Sequence, residues 1–404
     1  MGGLVKPPDS KGHERTATML FSNRTSVLTS AIYAELEARK NELLRAGREV
    51  INFSIGTPDL PPAPHIMKVL SEEAALPGNY RYAIKDLPEL TEAIIGWYQR
   101  RFGIQLEPEE IVSLNGSQDG LAHIALTLAD PGDPVLVPDP GYPIFSVGPY
   151  LAGAEIIRMP LLAANDYLID FEAIDPEVAR RARLMVVSYP NNPVTAVAPF
   201  EFYEKLVWFA KKYEIVVLHD NAYCELVFDG RKCGSFLNVP GAKEVGVEFN
   251  SLSKTYNVPG CRISFAMGNR RVIEQLRNLK SHLDYGVFLP IQKAAIAALT
   301  GPQDGVAETV RAYERRRDLL LKGFGEIGWH IPKTAATMFM WAPVPAQYRT
   351  SVDFTFDVLE RTGVILVPGS SFGPGGEGHV RLAMVQPEVK IRRAIELLGR
   401  ERIF

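Results

Sequence analysis

The chain has few of the features that mark exported, membrane-spanning or nucleic-acid-binding proteins. Its three cysteines, Cys224, Cys233 and Cys261, fit neither a disulfide framework nor a metal site. Lysine and arginine number 44 against 47 acidic residues, so the net charge of -3 gives no basic surface for nucleic acid or anionic lipid. The longest apolar stretches fall far short of a membrane span. We therefore expect no metal, no disulfide, and neither nucleic acid nor membrane as a partner.

An export signal is also missing from the opening residues. Residues 1–16 are polar and lack the apolar core that a secretory signal needs. Unpaired cysteines are typical of a reducing compartment, so we predict a cytoplasmic protein. Hydrophobic residues at 46% and charged residues at 23% are ordinary for a globular enzyme and exclude a disordered chain.

The pattern of apolar and polar residues divides the chain into four segments. Residues 1–17 are predicted to be a disordered head, and residues 18–50 contain a helix predicted over 27–47. Strand-like and helix-like segments alternate within residues 51–288, which predicts an α/β domain with a mostly parallel sheet between helices. Residues 289–404 change to long helices and short strands, which predicts a smaller α+β domain.

Lys254 lies in a setting that suits covalent chemistry. It follows an apolar run at residues 245–249, with hydroxyls at Ser251 and Ser253 and a cation at Arg262. Most lysines are solvated surface charges, so the residue alone predicts nothing. In this setting its amine can form a Schiff base with an aldehyde cofactor.

Three other apolar runs end in polar residues in the same way. The runs are 111–114, 184–187 and 214–218, and the polar segments that follow them are 115–118, 189–193 and 219–223. Parallel strands deliver side chains at their carboxyl ends, which meet at one edge of the sheet. We expect these segments and Lys254 to converge on one site.

The convergent residues meet the needs of a pyridoxal-type cofactor. Such a cofactor requires a lysine, an acid facing its ring nitrogen, donors to its ring oxygen and an anion site for its phosphate. Asp220 would keep the ring positively charged, and Tyr223 and Asn192 would hydrogen-bond the ring hydroxyl. Tyr142 would stack on the ring, although it can equally be a core aromatic residue. Taken singly, Asp220 can equally be a helix cap.

A phosphate site is predicted where a strand turns into a helix after residue 116. The free backbone N–H groups and positive dipole of a helix N-terminus bind anions. Two hydroxyls and a cation near Lys254 would complete the pocket. The residues predicted for this site are Ser117, Gln118, Ser251, Ser253 and Arg262.

Together these motifs resemble the class I and II pyridoxal-phosphate aminotransferases of fold type I, over residues 51–381. In that family the lysine of a Ser-x-x-Lys string binds the cofactor, and an Asp-x-x-Tyr string contacts its ring. The resemblance gives these roles to Lys254, Asp220 and Tyr223. Asn192 matches the asparagine of the family's Asn-Pro-Thr-Gly motif, but residues 192–195 read Asn-Pro-Val-Thr, so a different turn is expected there.

The resemblance also implies a substrate site and a partner. Arg381 would bind the substrate α-carboxylate, which suits a planar guanidinium, and the backbone of Gly56 would approach the same group. Tyr82, or Tyr80 if the register is shifted, would reach the phosphate site of a second subunit. A homodimer is implied, with residues 18–50 packing on the small domain.

The activity implied by the resemblance is transfer of an amino group from an L-amino acid to a 2-oxo acid. Lys254 would move the proton at Cα as a general base and acid. Within this family, the sequences at residues 79–82 and 189–194 are most similar to those of bacterial enzymes related to LL-diaminopimelate aminotransferase. His282, Asp284 and Tyr285 are open candidates for contact with the distal end of the substrate.

Other functions are weighed against this one. A lyase that cleaves a carbon–sulfur bond or eliminates at Cβ would use the same pocket. A penicillin-binding protein would use Ser251 as its nucleophile, but its partner motifs are missing. A nicotinamide oxidoreductase is disfavoured, because no Gly-x-Gly-x-x-Gly turn follows an early strand. A pyridoxal-binding transcription regulator would carry a DNA-binding head, for which residues 1–26 are too short.

Overall fold

A computed structural model describes residues 22–28 and 31–404. The disordered head predicted for residues 1–17 lies outside these residues. Among the described helices, none combines the length and apolarity needed to cross a bilayer. The three cysteines are unpaired, with Cys224 and Cys233 buried.

The strands of the described chain form three sheets. In chain order they are β1 (Ile51–Asn52), β2 (Ile111–Leu114), β3 (Pro134–Asp139), β4 (Glu155–Pro160), β5 (Leu184–Ser188), β6 (Val216–Asp220), β7 (Gly246–Ser251), β8 (Ser264–Gly268), β9 (Phe339–Pro343), β10 (Val364–Ile365), β11 (Val367–Pro368) and β12 (His379–Ala383).

Helices separate most of these strands. They are α1 (Ala31–Arg45), α2 (Pro64–Ala74), α3 (Pro88–Phe102), α4 (Ser117–Leu128), α5 (Ile144–Ala152), α6 (Pro176–Arg181), α7 (Phe200–Tyr213), α8 (Ala242–Val245), α9 (Leu252–Thr255), α10 (Arg270–Leu283), α11 (Leu289–Thr300), α12 (Asp304–Glu326), α13 (Ser351–Thr362) and α14 (Glu388–Arg400). The helix predicted over 27–47 is shorter, and a 3-10 turn at Asn23–Val27 precedes it.

The central sheet has seven strands in the order β2-β8-β7-β6-β5-β3-β4. Strand β8 is antiparallel to its neighbours β7 and β2, and the other strands run in one direction. Every residue of β2, β3, β5 and β7 is buried, because helices cover both faces. The predicted α/β fold with a mostly parallel sheet is confirmed.

Each face of the sheet has its own core. Helices α4, α5 and α10 pack on one face through residues that include Ile124, Phe145 and Leu276. Helices α3 and α7 cover the other face, where Ile94 and Leu206 are buried. Helices thus pack on both faces of the sheet, whose carboxyl-terminal edge is followed by the polar segments.

The C-terminal part contains an antiparallel sheet of order β11-β12-β9. Its helix α14 buries Ile391, Ala394 and Leu398, which recur at the spacing of one helix face. The N-terminal segment joins this part, since β1 pairs in parallel with β10. Helix α1 packs there as well, through Leu36 and Leu43.

Truncation of Leu398 to alanine is expected to destabilise the C-terminal part by about 2–5 kcal/mol, because it leaves a cavity in a filled core. Urea unfolding followed by circular dichroism measures this loss. The matched control is Val389→Ala on the same helix, where the side chain is 73% exposed and the change should stay within about 0.5 kcal/mol. Equal losses in both variants would contradict this packing.

Candidate active site

A cavity of about 710 Å³ opens at the carboxyl ends of β2, β5, β6 and β7. The polar segments that follow these strands meet there, as parallel strands that end at one sheet edge require. Leaving aside Tyr80 and the open candidates for distal contact, the residues that the sequence selected for a cofactor or substrate line this cavity with one exception. They are Gly56, Ser117, Gln118, Tyr142, Asn192, Asp220, Tyr223, Ser251, Ser253, Lys254, Arg262 and Arg381, and the exception is Tyr82.

Lys254 lies on the short helix α9 directly after β7. The Ser251 hydroxyl caps this helix by accepting a hydrogen bond from Ser253 N at 3.2 Å. Lys254 Nζ donates to the carbonyl of Gly56 at 2.8 Å. Burial lowers the pKa of Lys254 from 10.5 to about 8, and the charges of Arg381 and Arg262 contribute to the same shift. The amine is therefore close to its neutral, nucleophilic form.

Asp220 ends β6 and is buried. Its Oδ1 has no hydrogen-bond partner among the described residues. Burial raises the pKa of Asp220 to about 6, although the charge of the neighbouring His219 opposes the shift. An unpaired buried carboxylate oxygen is costly, so the site favours a ligand that brings a donor or a positive charge to Asp220.

Tyr223 and Tyr142 flank the cavity with aromatic rings. Tyr223 is buried against Phe339, with ring centroids 5.8 Å apart, and burial raises its pKa. The Tyr142 hydroxyl points at Gln118 Oε1, at 3.5 Å, and burial raises the pKa of Tyr142 as well. Both hydroxyls therefore stay protonated and can donate hydrogen bonds.

The first turn of α4 is shaped to receive an anion. Gly116 precedes the helix with a φ of 94°, which favours glycine. A Cβ atom at Gly116 would overlap the guanidinium of Arg262. The N-terminus of a helix and an arginine thus meet at one end of the cavity, an arrangement that binds phosphate groups.

Arg381, on β12, is held on three sides. Its Nη1 donates to Asn192 Oδ1 at 2.9 Å and its Nη2 to the carbonyl of Ser54 at 3.0 Å. The rings of Phe339 and Phe372 lie 4.2 and 4.6 Å from its guanidinium carbon. Its buried Nε has no partner within residues 22–28 and 31–404. A guanidinium fixed in this way and lacking a carboxylate partner suits an anionic substrate group.

Gly56 lies against the ring of Phe339, which also contacts Arg381. A Cβ atom there would come within 2.6 Å of Phe339 Cζ, so only glycine lets the chain pass this closely. Its carbonyl is thereby brought to Lys254 Nζ.

The turn at residues 192–195 carries Val194 and Thr195 where the family motif has threonine and glycine. Thr195 stands where the family has glycine and adopts a φ of 63°. This left-handed conformation is rare for a β-branched residue. Asn191 closes the turn, because its Oδ1 accepts from Val194 N at 3.1 Å and its carbonyl accepts from Thr195 N at 3.0 Å. Asn192 still reaches the cavity.

Tyr82 and the candidates for distal contact lie away from this cavity. Tyr82 is 79% exposed and its ring packs 5.4 Å from that of Tyr285. His282 is exposed and contacts the carbonyl of Asn278. Asp284 accepts hydrogen bonds from Lys280 and from the side chain of Asn115.

Asp119, His123 and Asp284 place possible metal-ligand atoms within 4.8 Å of one another. Lys280 already pairs with both carboxylates of this cluster, because its Nζ lies 3.0 Å from Asp119 Oδ2 and 2.9 Å from Asp284 Oδ2. The cluster ties α10 to the first turn of α4 and therefore supports the anion site from behind.

Several lining residues were not selected from the sequence: Tyr33, Thr57, Phe339 and Phe372. Phe372 and Thr57 lie in glycine-containing strings at residues 367–373 and 56–59, which is the local signal that could have found them. Tyr33 comes from α1, which carries no local signal of a site. Tyr33 is 38% exposed, and the partial burial of its side chain raises its pKa.

Comparison with known proteins finds one family model over most of the chain. The model described as aminotransferase class I and II matches residues 48–398. LL-diaminopimelate aminotransferase from Moorella thermoacetica is 47% identical over 384 residues, covering 95% of this chain and 98% of that protein. The enzyme of the same name from Desulforudis audaxviator is 45% identical, covering 93% and 96%.

Solved structures agree with this match. Substrate-bound BacF from Bacillus subtilis superposes with a TM-score of 0.92 at 36% identity, covering 95% of this chain and 98% of that chain. A probable N-succinyldiaminopimelate aminotransferase from Thermus thermophilus gives a TM-score of 0.87 at 33% identity, covering 91% and 99%.

The lowered pKa of Lys254 predicts how its amine reacts with pH. Only the neutral amine is nucleophilic, so labelling of Lys254 by an acylating reagent should rise to half its maximum near pH 8. Peptide mapping by mass spectrometry of the cofactor-free protein measures this curve. Arg381→Gln removes a charge that lowers the pKa and should move the midpoint up. Asp220→Asn removes one that raises it and should move the midpoint down. A midpoint near 10.5 would contradict the electrostatics described here.

Proposed function

The chain belongs to the class I and II aminotransferase family and is an aminotransferase of fold type I, and we propose that it acts on LL-diaminopimelate through Lys254 and pyridoxal phosphate. The observation that carries this proposal is the meeting of Lys254, Asp220 and Arg381 in one cavity. The lyase alternative is not favoured, because relatives matched over nearly their whole length are aminotransferases.

Pyridoxal phosphate is the cofactor of this family, and the residues of the cavity fit it. The buried Oδ1 of Asp220, which has no partner in the described chain, suits the protonated nitrogen of a pyridine ring. When bound, the cofactor supplies an electron sink for the electrons of the substrate Cα–H bond. A neutral ring nitrogen would weaken that electron sink. The negative charge of Asp220, which keeps the nitrogen protonated, would therefore be the main contribution of the protein to the sink.

The other side chains would hold the cofactor at its remaining groups. Lys254 Nζ would form the covalent bond to its aldehyde carbon. Tyr223 and Asn192 would donate to the ring hydroxyl, and Tyr142 would lie against the ring. The phosphate would bind the residues that meet at the first turn of α4, which are Ser117, Gln118, Ser251, Ser253 and Arg262.

Arg381 and Lys254 would act on the substrate. The fixed guanidinium of Arg381 would bind the α-carboxylate and so orient the bonds at Cα. Lys254, once displaced by the substrate amine, would move the proton from Cα as a general base. Its pKa of about 8 suits this role, because a substantial fraction of the amine is then neutral at physiological pH.

LL-diaminopimelate is proposed as the amino donor because several relatives that are 40–47% identical over at least 90% of this chain carry that activity in their names. Arg381 would recognise the carboxylate common to all amino acids. The rest of the cavity, with Tyr33 and Thr57 on its wall, would receive the distal end of the substrate.

We also propose a homodimer in which Tyr82 completes the partner's phosphate site. The chain exposes a group of large apolar side chains, in which Tyr80 packs on Phe288 and Tyr82 on Tyr285. Its exposed members are Tyr80, Tyr82, Ile84, Tyr285 and Phe288. Large exposed aromatic patches mark interfaces. The Tyr80 hydroxyl donates to the carbonyl of Ala74 at 2.8 Å, whereas the Tyr82 hydroxyl has no partner within residues 22–28 and 31–404, which favours Tyr82 as the crossing residue.

Replacement of Lys254 by alanine is expected to lower amino transfer by at least about 10³-fold, because both the covalent bond and the general base are lost. The assay measures loss of LL-diaminopimelate and formation of an aminated product from a 2-oxo acid. Cofactor absorbance is recorded in parallel.

The control is Lys68→Ala, at an exposed position of α2, which should keep the wild-type rate. Other L-amino acids are tested as donors at equal concentration. Transfer that survives in Lys254→Ala would exclude the proposed chemistry. Free ammonia as the main product of the wild type would revive the lyase, and a preference for another donor would exclude only the proposed substrate.

Removal of the Tyr82 hydroxyl should weaken cofactor binding without splitting the dimer. Tyr82→Phe is expected to lower pyridoxal-phosphate affinity roughly tenfold, because a hydrogen bond to a charged group is lost. Analytical ultracentrifugation should give about twice the chain mass of 44.8 kDa for wild type and variant alike. Tyr80→Phe is the matched control. A monomer would contradict the proposed dimer, and a larger loss of affinity in Tyr80→Phe would contradict the role proposed for Tyr82.

A further inference from the structure

Two chain segments face each other across the proposed carboxylate site. One is the loop at residues 53–59 after β1, whose carbonyls at Ser54 and Gly56 accept from Arg381 and Lys254. The other is β12, which carries Arg381, and the residues just after it. The gap between these segments sets where a bound carboxylate can lie.

The start of the loop is fixed by the neighbouring chain. Ala383 N donates to the carbonyl of Phe53 at 2.7 Å, and Gln386 Nε2 donates to that of Asn52 at 2.7 Å. These bonds leave the far end of the loop, beyond Gly56, to be held by other contacts.

Arg316, on α12, holds that far end. Its Nη1 and Nη2 donate to Asp59 Oδ1 and Oδ2, each at 2.7 Å. The same Nη1 donates to the carbonyl of Met384 at 3.1 Å. Asp59 lies three residues after Gly56, and Met384 lies three residues after Arg381. One guanidinium therefore bridges the two segments that flank the site.

The chemistry of this bridge requires arginine. The side chain of Arg316 is 8% exposed, so its charge depends on Asp59 for compensation. A lysine would keep the charge but has no planar fork to contact both carboxylate oxygens and a carbonyl together. Reactive groups must be held within about 0.5 Å of their productive geometry by such supporting contacts.

We propose that Arg316 is a positioning residue for the substrate carboxylate. By joining Asp59 to the Met384 carbonyl, it fixes the gap between the loop at 53–59 and β12, and so fixes Arg381 relative to Gly56 and Lys254. Arg316 does not line the cavity, so it acts through these neighbours. This inference rests on the proposed function, because it takes Arg381 as the carboxylate-binding residue.

The next residue of α12 provides a matched control. Arg317 is more buried, at 2% side-chain exposure, and donates to both carboxylate oxygens of Asp229 at 2.9 and 3.0 Å. It also donates to the carbonyl of Thr334 at 3.2 Å. Arg317 thus has the same kind of partners as Arg316, and in addition its Nε donates to Asp318 Oδ1 at 2.8 Å. None of these partners belongs to the loop at 53–59 or to β12.

The experiment compares Arg316→Gln, Arg316→Lys and Arg317→Gln in the cofactor-loaded enzyme. The probe is heptanedioate, the LL-diaminopimelate skeleton without amino groups, which binds through its carboxylates and cannot react. Its Kd is measured by isothermal titration calorimetry, alongside KM and kcat for amino transfer and the thermal midpoint.

Both Arg316 variants are expected to raise the Kd of heptanedioate and the KM of the donor at least about tenfold, with a smaller change in kcat. Arg317→Gln should lower the thermal midpoint at least as much but leave Kd and KM within about twofold of wild type. This split separates positioning from general destabilisation. In the cofactor-free protein, Arg316→Gln should also change the pH midpoint for labelling of Lys254, and Arg317→Gln should not.

The proposal is overturned if the Arg316 variants bind heptanedioate as tightly as wild type, or if Arg317→Gln weakens binding equally. Should Arg316→Gln not fold, Asp59→Asn removes the same bridge from the other side, and the same thresholds apply to it. A wild-type protein without amino transfer would instead reject the proposed function. Wild-type transfer with unchanged Arg316 variants would reject this inference alone.

Discussion

The site depends on opposite charges that meet in one cavity and that the described residues do not balance. Lys254, Arg262 and Arg381 bring three cations to one cavity, and Asp220 is the carboxylate that faces them. Burial moves the pKa of Lys254 down and that of Asp220 up, so both groups lie close to a change of charge. A cofactor with a phosphate and a ring cation, together with a substrate carboxylate, would satisfy every one of these groups at once. The cavity is therefore suited to a cofactor that carries both charges and to a substrate that carries a carboxylate.

The fold explains how distant residues meet there. Strands β2, β5, β6 and β7 run in one direction, so their carboxyl ends bring four separate segments to one sheet edge. Arg381 reaches the same cavity from the C-terminal sheet, and Gly56 from the loop after β1. Because β1 pairs with β10, this loop belongs to the C-terminal part, and Arg316 ties it to the end of β12. The proposed carboxylate site is thus built on one part of the fold and the lysine on the other.

How much could be predicted from the sequence follows from how local each signal is. Asp220 lies at the end of one apolar strand and Lys254 lies shortly after another, so the pattern of apolar runs located both residues, and the family resemblance gave their roles. The sequence did not predict that β8 is antiparallel to its neighbours, because a buried strand has the same apolar pattern in either direction. Phe339, Phe372 and Tyr33 were missed because they reach the cavity through tertiary packing. Thr195 adopts a left-handed turn that its residue type disfavours, and Asn191 supports it through hydrogen bonds that no pattern reveals.

The central claim is that Lys254 and Asp220 hold opposite sides of one pyridoxal-phosphate molecule. A crystal structure of the protein grown with pyridoxal phosphate tests this most directly. The account predicts continuous density from Lys254 Nζ to the cofactor and Asp220 Oδ1 within hydrogen-bond distance of the ring nitrogen. The phosphate should lie at the first turn of α4. Cofactor bound at another lysine, or a ring nitrogen turned away from Asp220, would contradict it.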